Sequence, residues 1–126
     1  MSKEVVFAGE APAPIGPYSQ AIKTGGLLFV SGQIAIEKSS GQLRTVDIET
    51  ETRQVMYNLG EILKAAGMTF SNVVKCSIFL RDMGQFSTVN EIYASYFGNM
   101  PPARETVEVS RLPKDVNVEI SCIAAM

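Results

Sequence analysis

The segment from Asp47 to Gly67 repeats its apolar side chains at helical spacing, and no other part of the sequence constrains the fold as strongly. The positions on one side of this segment recur every three or four residues: Ile48, Thr52, Val55, Met56, Leu59, Leu63 and Ala66. This spacing predicts an amphipathic helix, with Asp47 as the N-cap and Gly67 as the C′ residue. Because such a helix is stable only when its apolar face is buried, the rest of the chain must supply an apolar surface.

Strand patterns on both sides of the helix predict that surface. The predicted elements are, in order, strands at 21–23 and 27–32, the helix at 47–67, a strand at 74–80, a helix from about 83 or 86 to 97, and strands at 103–109 and 116–124. Gly25-Gly26 suits a tight hairpin turn between the first two strands. The order ββ-α-β-α-ββ predicts a single α+β domain over residues 1–126, a mixed β-sheet with two helices packed on one face.

The other face of the sheet also needs a cover. Apolar side chains occupy both alternating phases of residues 27–30, and Ile123 and Ala125 lie opposite the main apolar stripe of the last strand. A strand that is apolar on both sides is typical of a sheet covered on both sides. We therefore expect the chain to form oligomers through this face.

The absence of histidine excludes several kinds of catalytic site. Ser-His-Asp and Cys-His nucleophiles, HExxH zinc sites and a histidine general base all require it. The sequence also has no CxxC, no GxGxxG and no GxxxxGK[ST] motif. The sequence therefore signals neither a nucleotide-binding loop nor a zinc knuckle, and any catalysis must use carboxylates, Arg, Tyr, Lys, Ser or Thr hydroxyls or backbone dipoles.

Charge and hydropathy limit the partners and the location. Eleven basic and thirteen acidic residues give a net charge of −2, and the basic residues are scattered, so we expect no nucleic acid partner. No segment resembles a signal peptide or a membrane span, so we expect a soluble cytoplasmic protein with no membrane partner. Cys76 and Cys122 lie in alternating apolar runs and are expected to be reduced core thiols.

The candidate site begins with the last two strands, taken as a directly paired hairpin. If Val107 and Val109 share a face with Val118, strand parity puts Arg104 beside Glu119 on the face away from the helices. Arg104 could then bind a carboxylate with two parallel hydrogen bonds, while Glu119 orients and deprotonates a water molecule. A cross-strand ion pair fits the same spacing.

Two other polar positions, Tyr18 and Ser31-Gly32, each allow two interpretations, and Asn90 allows one. Tyr18 follows a proline-rich loop (11–17) and is either a packing anchor or a ligand group. Ser31-Gly32 either ends a strand or presents a hydroxyl and backbone dipoles to a ligand. Asn90 fits the polar side of an amphipathic helix.

Several segments resemble the Rid (YjgF) family, and most closely its reactive intermediate deaminase A branch. The resemblance covers nearly the whole chain in order, and is carried by Ala13–Ala21, Leu28–Gln33, Thr52–Leu59, Pro102-Ala103-Arg104, Arg111–Val116 and Val118-Glu119-Ile120. It implies a chorismate-mutase-like fold in a homotrimer, with ligand clefts shared between subunits. It also implies hydrolysis of reactive enamines and imines to 2-oxo acids and ammonia, without a cofactor or metal.

The resemblance assigns residues to that chemistry. Arg104 would bind the substrate carboxylate and Glu119 would position the attacking water. The substrate-binding positions of the family's cleft correspond to Tyr18, Ser31, Gly32, Asn90, Arg104 and Thr106. Glu105 and Thr106 depart from the family pattern, which usually has a small residue followed often by Cys. Strand parity predicts that Glu105 points to the helix side or to a sheet edge.

Two other functions fit parts of this pattern. The same cleft could serve a noncatalytic trimeric sensor of 2-oxo acids or other small carboxylates. The apolar sheet face could instead serve a chaperone-like interaction protein. Glu119 separates the first alternative from catalysis, because binding alone does not require a base.

Overall fold

The computed structural model describes residues 2–126 as one mixed sheet with helices on one face. The strands are β1 (Glu4–Val6), β2 (Ala21–Thr24), β3 (Leu27–Gln33), β4 (Val73–Leu80), β5 (Ala103–Glu108) and β6 (Val118–Ala125), and the helices are α1 (Ile48–Ala65) and α2 (Phe86–Ala94). The predicted fold class and the order of the predicted elements are confirmed. Strand β1 was not predicted, because three residues are too few to show a period.

The sheet has the strand order β1-β2-β3-β6-β4-β5. The β2–β3 hairpin turns at Gly25 and Gly26, which have φ angles of 56° and 80° and so favour glycine. Strand β6 pairs antiparallel with both β3 and β4, whereas β5 pairs parallel with β4. Strand β5 is therefore an edge strand, and β4 separates it from β6.

This topology corrects the predicted hairpin of the last two strands. The loop between them includes a 3₁₀ turn at Pro113–Asp115, and β6 inserts beside β4 rather than beside β5. Cys76 of β4 lies opposite Cys122 of β6 on one side and Arg104 of β5 on the other. Because directly paired residues share a face, Arg104 points to the helix side.

The main core lies between the sheet and the two helices. Asp47 caps α1 by accepting a hydrogen bond from the Thr50 amide at 2.7 Å, as predicted. The core contains the buried stripes of α1 and of the central strands, among them Leu28, Val55, Met56, Leu59, Ile62, Leu63, Ile78, Leu80, Ile120 and Ala124. Cys76 and Cys122 are free, buried thiols in this core, and burial raises the pKa of both, that of Cys122 to about 12.

Two buried polar residues of α1 fix the segments that carry the site. The carboxylate of Glu51 accepts hydrogen bonds from the amide and side chain of Asn117 at 2.7 and 2.8 Å, at the start of β6. The side-chain amide of Asn58 donates hydrogen bonds to the carbonyls of Ile34 and Ile36, which follow β3. The ends of β3 and β6 are therefore held to α1 as well as to each other.

The face of the sheet away from the helices is largely uncovered in the single chain and carries exposed apolar side chains, together with polar ones such as Lys75 and Ser77 on β4. Its largest exposed side chains are Val5, Phe29 and Val107, with exposed fractions of 62%, 42% and 41%. Ile22 and Ile123 flank Phe29 in the register of the sheet. We refer to this surface as the open face. No helix of residues 2–126 combines the length and apolar character needed to cross a bilayer.

Candidate functional site

A cavity of about 360 Å³ lies at the end of the sheet where β3 and β6 meet the proline-rich loop. We call it the glutamate pocket, because the carboxylate of Glu119 is its charged group. Its walls are mostly apolar, and its lining residues are Pro12, Ala13, Ile15, Tyr18, Gln20, Ser31, Gly32, Gln33, Ile34, Ile36, Pro113 and Glu119.

Glu119 projects from β6 across the neighbouring strand β3, over Gly32. A β-carbon placed on Gly32 would lie 2.9 Å from the carboxyl carbon of Glu119 and would overlap one of its oxygens. The register between β3 and β6 is interrupted between Val30 and Gln33, so the backbone at Gly32 departs from regular pairing. The missing side chain and the irregular backbone together make room for the carboxylate.

The surroundings of Glu119 suit a general base. No residue among 2–126 donates a hydrogen bond or forms an ion pair with its carboxylate, which lies beside an apolar wall. Burial raises the pKa of Glu119 above the usual value of 4.5. A carboxylate with raised pKa and free oxygens can accept a proton from water more readily than an exposed one.

The loop before β2 closes one side of the glutamate pocket. Gln20 is buried and holds this loop, because its side chain bonds to the Ala8 amide at 2.6 Å and to the Pro12 carbonyl at 2.8 Å. The hydroxyl of Ser31 donates to the Ser19 carbonyl at 2.6 Å. Tyr18 is 48% exposed at the mouth, and its hydroxyl accepts a hydrogen bond from the Ile15 amide of the same loop at 3.4 Å, so packing on the loop and contact with a ligand both stay open.

Arg104 lies in a second cavity of about 430 Å³, between β5 and α2. We call it the arginine pocket; its lining residues are Asn90, Tyr93, Ala94, Phe97, Gly98, Pro101, Pro102 and Arg104. The guanidinium donates to the side-chain oxygen of Asn90 at 2.7 Å. Its central carbon lies 5.6 Å from the ring centre of Phe86 and 5.0 Å from that of Tyr93.

The charge of Arg104 has no counterion among residues 2–126. Asn90 and the two rings are neutral, and together they occupy only part of the donor capacity of the guanidinium. A half-buried cation with free donors is suited to bind an anion, above all a carboxylate that can accept two hydrogen bonds.

The structure brings the predicted site residues together in two groups. Tyr18, Ser31, Gly32 and Glu119 line the glutamate pocket, and Arg104 and Asn90 line the arginine pocket. Glu119 lies opposite Phe79 on the open face, whereas Arg104 points to the helix side. The prediction that Arg104 and Glu119 are neighbours in one chain is therefore wrong, and so is the alternative of an ion pair between them.

Thr106 and Glu105 also need a revised description. Thr106 follows Arg104 on the helix side of β5, lines neither pocket, and has a buried hydroxyl without a hydrogen-bond partner among residues 2–126. Glu105 lies on the open face, where Ser77 donates to it and Lys75 approaches to 3.0 Å. These contacts, the Ser77 hydrogen bond first, lower the pKa of Glu105. The helix-side orientation predicted for Glu105 is wrong for the same reason as the hairpin, whereas the predicted alternative of a sheet edge agrees with its position on the edge strand β5.

Sequence reasoning did not identify several residues of the two pockets. Part of the apolar wall of the glutamate pocket is formed by Ile34, Ile36 and Pro113. No motif that we identified distinguishes these positions from core residues. Tyr93 of the arginine pocket and Phe86, which contacts Arg104, both lie within the helix predicted from about 83 or 86 to 97. Their spacing to Asn90 on that helix was a usable signal, because residues three or four apart lie on one side of a helix.

The two pockets contain complementary chemical groups. The arginine pocket can bind a carboxylate, and the glutamate pocket can hold a water molecule beside a base and an apolar group beside the wall. Within residues 2–126, no three His, Cys, Asp or Glu side chains come together as ligands for a metal ion.

Comparisons with known proteins place these features in a family. Residues 8–126 match the sequence profile described as Endoribonuclease L-PSP. The chain is 54% identical to a RutC family protein of Pyrococcus horikoshii, over 97% of each chain. It is 48% identical to 2-iminobutanoate/2-iminopropanoate deaminase of Mus musculus, over 97% of this chain and 90% of the relative. The crystal structure of a conserved Rid family protein, YyfA of Yersinia pestis, superposes with a TM-score of 0.96 at 49% identity, covering 99% and 100% of the two chains.

Proposed function

Because the chain belongs to the Rid family, whose profile carries the description Endoribonuclease L-PSP, we propose that it hydrolyses reactive imines and enamines of small 2-amino acids. The substrates are 2-aminoacrylate with its tautomer 2-iminopropanoate, and 2-iminobutanoate. The products are the corresponding 2-oxo acids and ammonia. The printed name of the mouse relative supports this substrate class.

One observation carries the proposal: the chain has an unpaired cation and an unpaired carboxylate, each in its own incomplete pocket. Arg104 lacks a counterion, and Glu119 lacks a hydrogen-bond donor, within residues 2–126. A small imino acid offers a carboxylate for the first group and an electrophilic carbon for a water held by the second. The substrate thus matches both pockets at once.

The two pockets lie on opposite sides of the sheet, so a complete site requires two copies of the chain. We propose that the open face mediates assembly into a homotrimer. Each cleft then combines the arginine pocket of one subunit with the glutamate pocket of its neighbour. The apolar character of Phe29, Val107 and Val5 supports burial of this face.

The proposed reaction consumes water and releases ammonia. Arg104 binds the carboxylate of the protonated imine, and Glu119 takes a proton as the water oxygen bonds to the imine carbon. The resulting carbinolamine receives that proton on its nitrogen. The carbon–nitrogen bond then breaks as the hydroxyl oxygen forms the carbonyl and passes its proton to Glu119. Glu119 gives that proton to the released ammonia or to solvent, which leaves the 2-oxo acid and restores the carboxylate.

Positioning can provide most of the rate enhancement in this reaction. The carbon of a protonated imine is already electrophilic, so orientation of water and substrate is the main requirement. Tyr18, Ser31 and Gly32 line the same pocket as Glu119, and we propose that they orient the substrate there. We propose that no metal or cofactor takes part, and the cytoplasmic location expected from the sequence stays a prediction.

Two other functions make different predictions. A noncatalytic binder of 2-oxo acids would use Arg104 but would not require Glu119. A ribonuclease, as the family description suggests, would need several phosphate-binding groups, whereas Arg104 is the only Lys or Arg among the residues that line the two pockets. The geometry favours the deaminase, because the base lies beside a wall suited to a small aliphatic group.

A coupled assay tests the proposal. A serine dehydratase generates 2-aminoacrylate in the presence of the protein. The rate of pyruvate formation is measured and compared with the rate without the protein. We expect the wild type to accelerate the reaction, and Arg104→Ala and Arg104→Lys to lose that acceleration, since lysine cannot make the two-point contact. Glu119→Gln should bind 2-oxobutanoate but not accelerate hydrolysis. Equal rates with wild type and Arg104→Ala would refute the mechanism, and turnover retained in Glu119→Gln would refute the assigned base.

A further inference from the structure

The guanidinium of Arg104 is in contact with two aromatic rings as well as with Asn90. The ring centres of Phe86 and Tyr93 lie 5.6 and 5.0 Å from its central carbon, within the range of a cation–π interaction. Tyr93 is only 4% exposed, and its ring packs on Phe97 at 4.8 Å between centres. At least one of the two rings is thus fixed in the core.

These contacts restrain the guanidinium without neutralising its charge. A carboxylate in the same place would orient Arg104 equally well, but it would compete with an anionic ligand. Aromatic rings attract the cation and leave its hydrogen-bond donors free. Among residues 2–126 only the bond to Asn90 uses a donor of the guanidinium, and it uses one of five.

We infer that Phe86 and Tyr93 are positioning residues that hold the guanidinium of Arg104 ready to bind the substrate carboxylate. This inference rests on the proposed function for the identity of the ligand, but the restraint on Arg104 is a property of the free protein. Arg104 has a long side chain and lies on an edge strand. If nothing restrained this side chain in the free protein, it would lose much rotamer freedom when it binds the ligand. The rings reduce that loss before the ligand arrives.

The inference has a defined kinetic signature. The contact between Arg104 and the carboxylate is the same in the bound substrate and in the transition state. Loss of the restraint should therefore weaken binding of both alike, which raises KM and leaves kcat almost unchanged. A ring that served only the core would change stability and would not separate KM from kcat in this way.

The test compares Phe86→Leu with Phe70→Leu, the removal of another phenylalanine ring that is partly buried against the same core. Phe70 packs on Tyr96 and Phe97 and makes no cation–π contact with Arg104. We expect Phe86→Leu to raise KM about tenfold. The Kd of 2-oxobutanoate, measured by calorimetry, should rise by about the same factor. Phe70→Leu should leave both within about twofold of wild type. Equal effects of the two variants on Kd would overturn the inference.

A conservative variant separates the ring of Tyr93 from its hydroxyl. The buried hydroxyl interacts at most weakly, with the thiol of Cys76, so Tyr93→Phe keeps the contact with Arg104 and should change the stability little. We expect Tyr93→Phe to bind 2-oxobutanoate like wild type and Tyr93→Leu to bind it more weakly. Equal loss in both variants would show that the hydroxyl, rather than the ring, matters, and would overturn the assignment.

A measurement without ligand keeps the inference separate from the proposed function. The ¹⁵N relaxation of the Arg104 side chain reports its order in the free protein. We expect that order to fall in Phe86→Leu and to stay unchanged in Phe70→Leu. If wild type orders Arg104 in this way but does not accelerate imine hydrolysis, the proposed function fails and the restraint stands. If hydrolysis is accelerated but Phe86→Leu leaves the order unchanged, the restraint fails and the function stands.

Discussion

The carboxylate of Glu119 lies over the α-carbon of Gly32, in the space that a side chain at position 32 would fill. A β-carbon there would come within 2.9 Å of the carboxyl carbon of Glu119. This relationship joins two neighbouring strands at the point where their pairing is irregular. It determines the direction of the only carboxylate in the glutamate pocket.

Gly32→Ala is expected to lower activity much more than stability. The new methyl group forces Glu119 away from its position, and a displacement of about 1 Å at a catalytic group costs roughly a hundredfold in rate. The measurement is kcat/KM in the coupled dehydratase assay, with thermal denaturation in parallel. Gly9→Ala is the control, because a β-carbon at Gly9 meets no atom within 4 Å. Wild-type activity in Gly32→Ala would show that the orientation of Glu119 does not matter.

Mixed trimers are expected to recover activity from two inactive variants. If each cleft takes Arg104 from one subunit and Glu119 from the next, a trimer that mixes Arg104→Ala with Glu119→Gln chains contains one intact cleft. Random assembly from equal amounts should give roughly a quarter of wild-type activity. The two chains are coexpressed with different tags, and the purified mixture is compared with each variant alone. No recovery in verified mixed trimers would exclude a shared cleft.

The pKa of Glu119 is expected to rise further when Arg104 is removed. Burial already raises this pKa, so the base gains its proton at a higher pH than an exposed Glu as the pH falls. Burial alone would place the acid side of the kcat/KM profile above pH 4.5. In a shared cleft the neighbouring Arg104 opposes this shift, because a cation favours the carboxylate form.

Carboxyl ¹³C NMR measures that change directly. Titration of wild type and Arg104→Gln gives the pKa of Glu119 in each, with no substrate present. A higher value in Arg104→Gln supports convergence of the two pockets. Identical values would mean that Arg104 and Glu119 lie far apart in the assembled protein, and they would argue against the shared cleft.

Gln20→Ala is expected to destabilise the protein and to loosen the loop that carries Tyr18. The side chain is buried and bonds to the backbone of Ala8, Ala11 and Pro12, so its removal leaves buried groups without partners. We expect a loss of about 2–3 kcal/mol in the free energy of unfolding, measured with urea. The exposed Gln42→Ala should change it by less than about 0.5 kcal/mol. A similarly small loss of unfolding free energy in Gln20→Ala and Gln42→Ala would mean that the hydrogen bonds of Gln20 contribute little to stability.

The sequence was sufficient to predict both α-helices, every strand except β1 and the layers of the fold. The period of residues 47–67, the cap at Asp47 and the turn at Gly25-Gly26 are local features, and local sterics and hydrogen bonds determine them. Burial of one apolar face per helix then required a sheet beneath both helices. The family resemblance found from short segments of the chain is confirmed by the comparisons.

The pairing of strands was decided only by the tertiary structure. Two consecutive strands usually lie side by side, but here β6 lies between β3 and β4, and β5 pairs with β4 at the edge. The alternation of apolar and polar residues shows which side chains of a strand share a face, but it does not show which strands pair with each other. One change of neighbour therefore reversed the predicted face of Arg104 and Glu105 relative to Glu119. The sequence could name the two charged residues of the candidate site, but only the three-dimensional pairing of strands shows that they face opposite sides of one sheet.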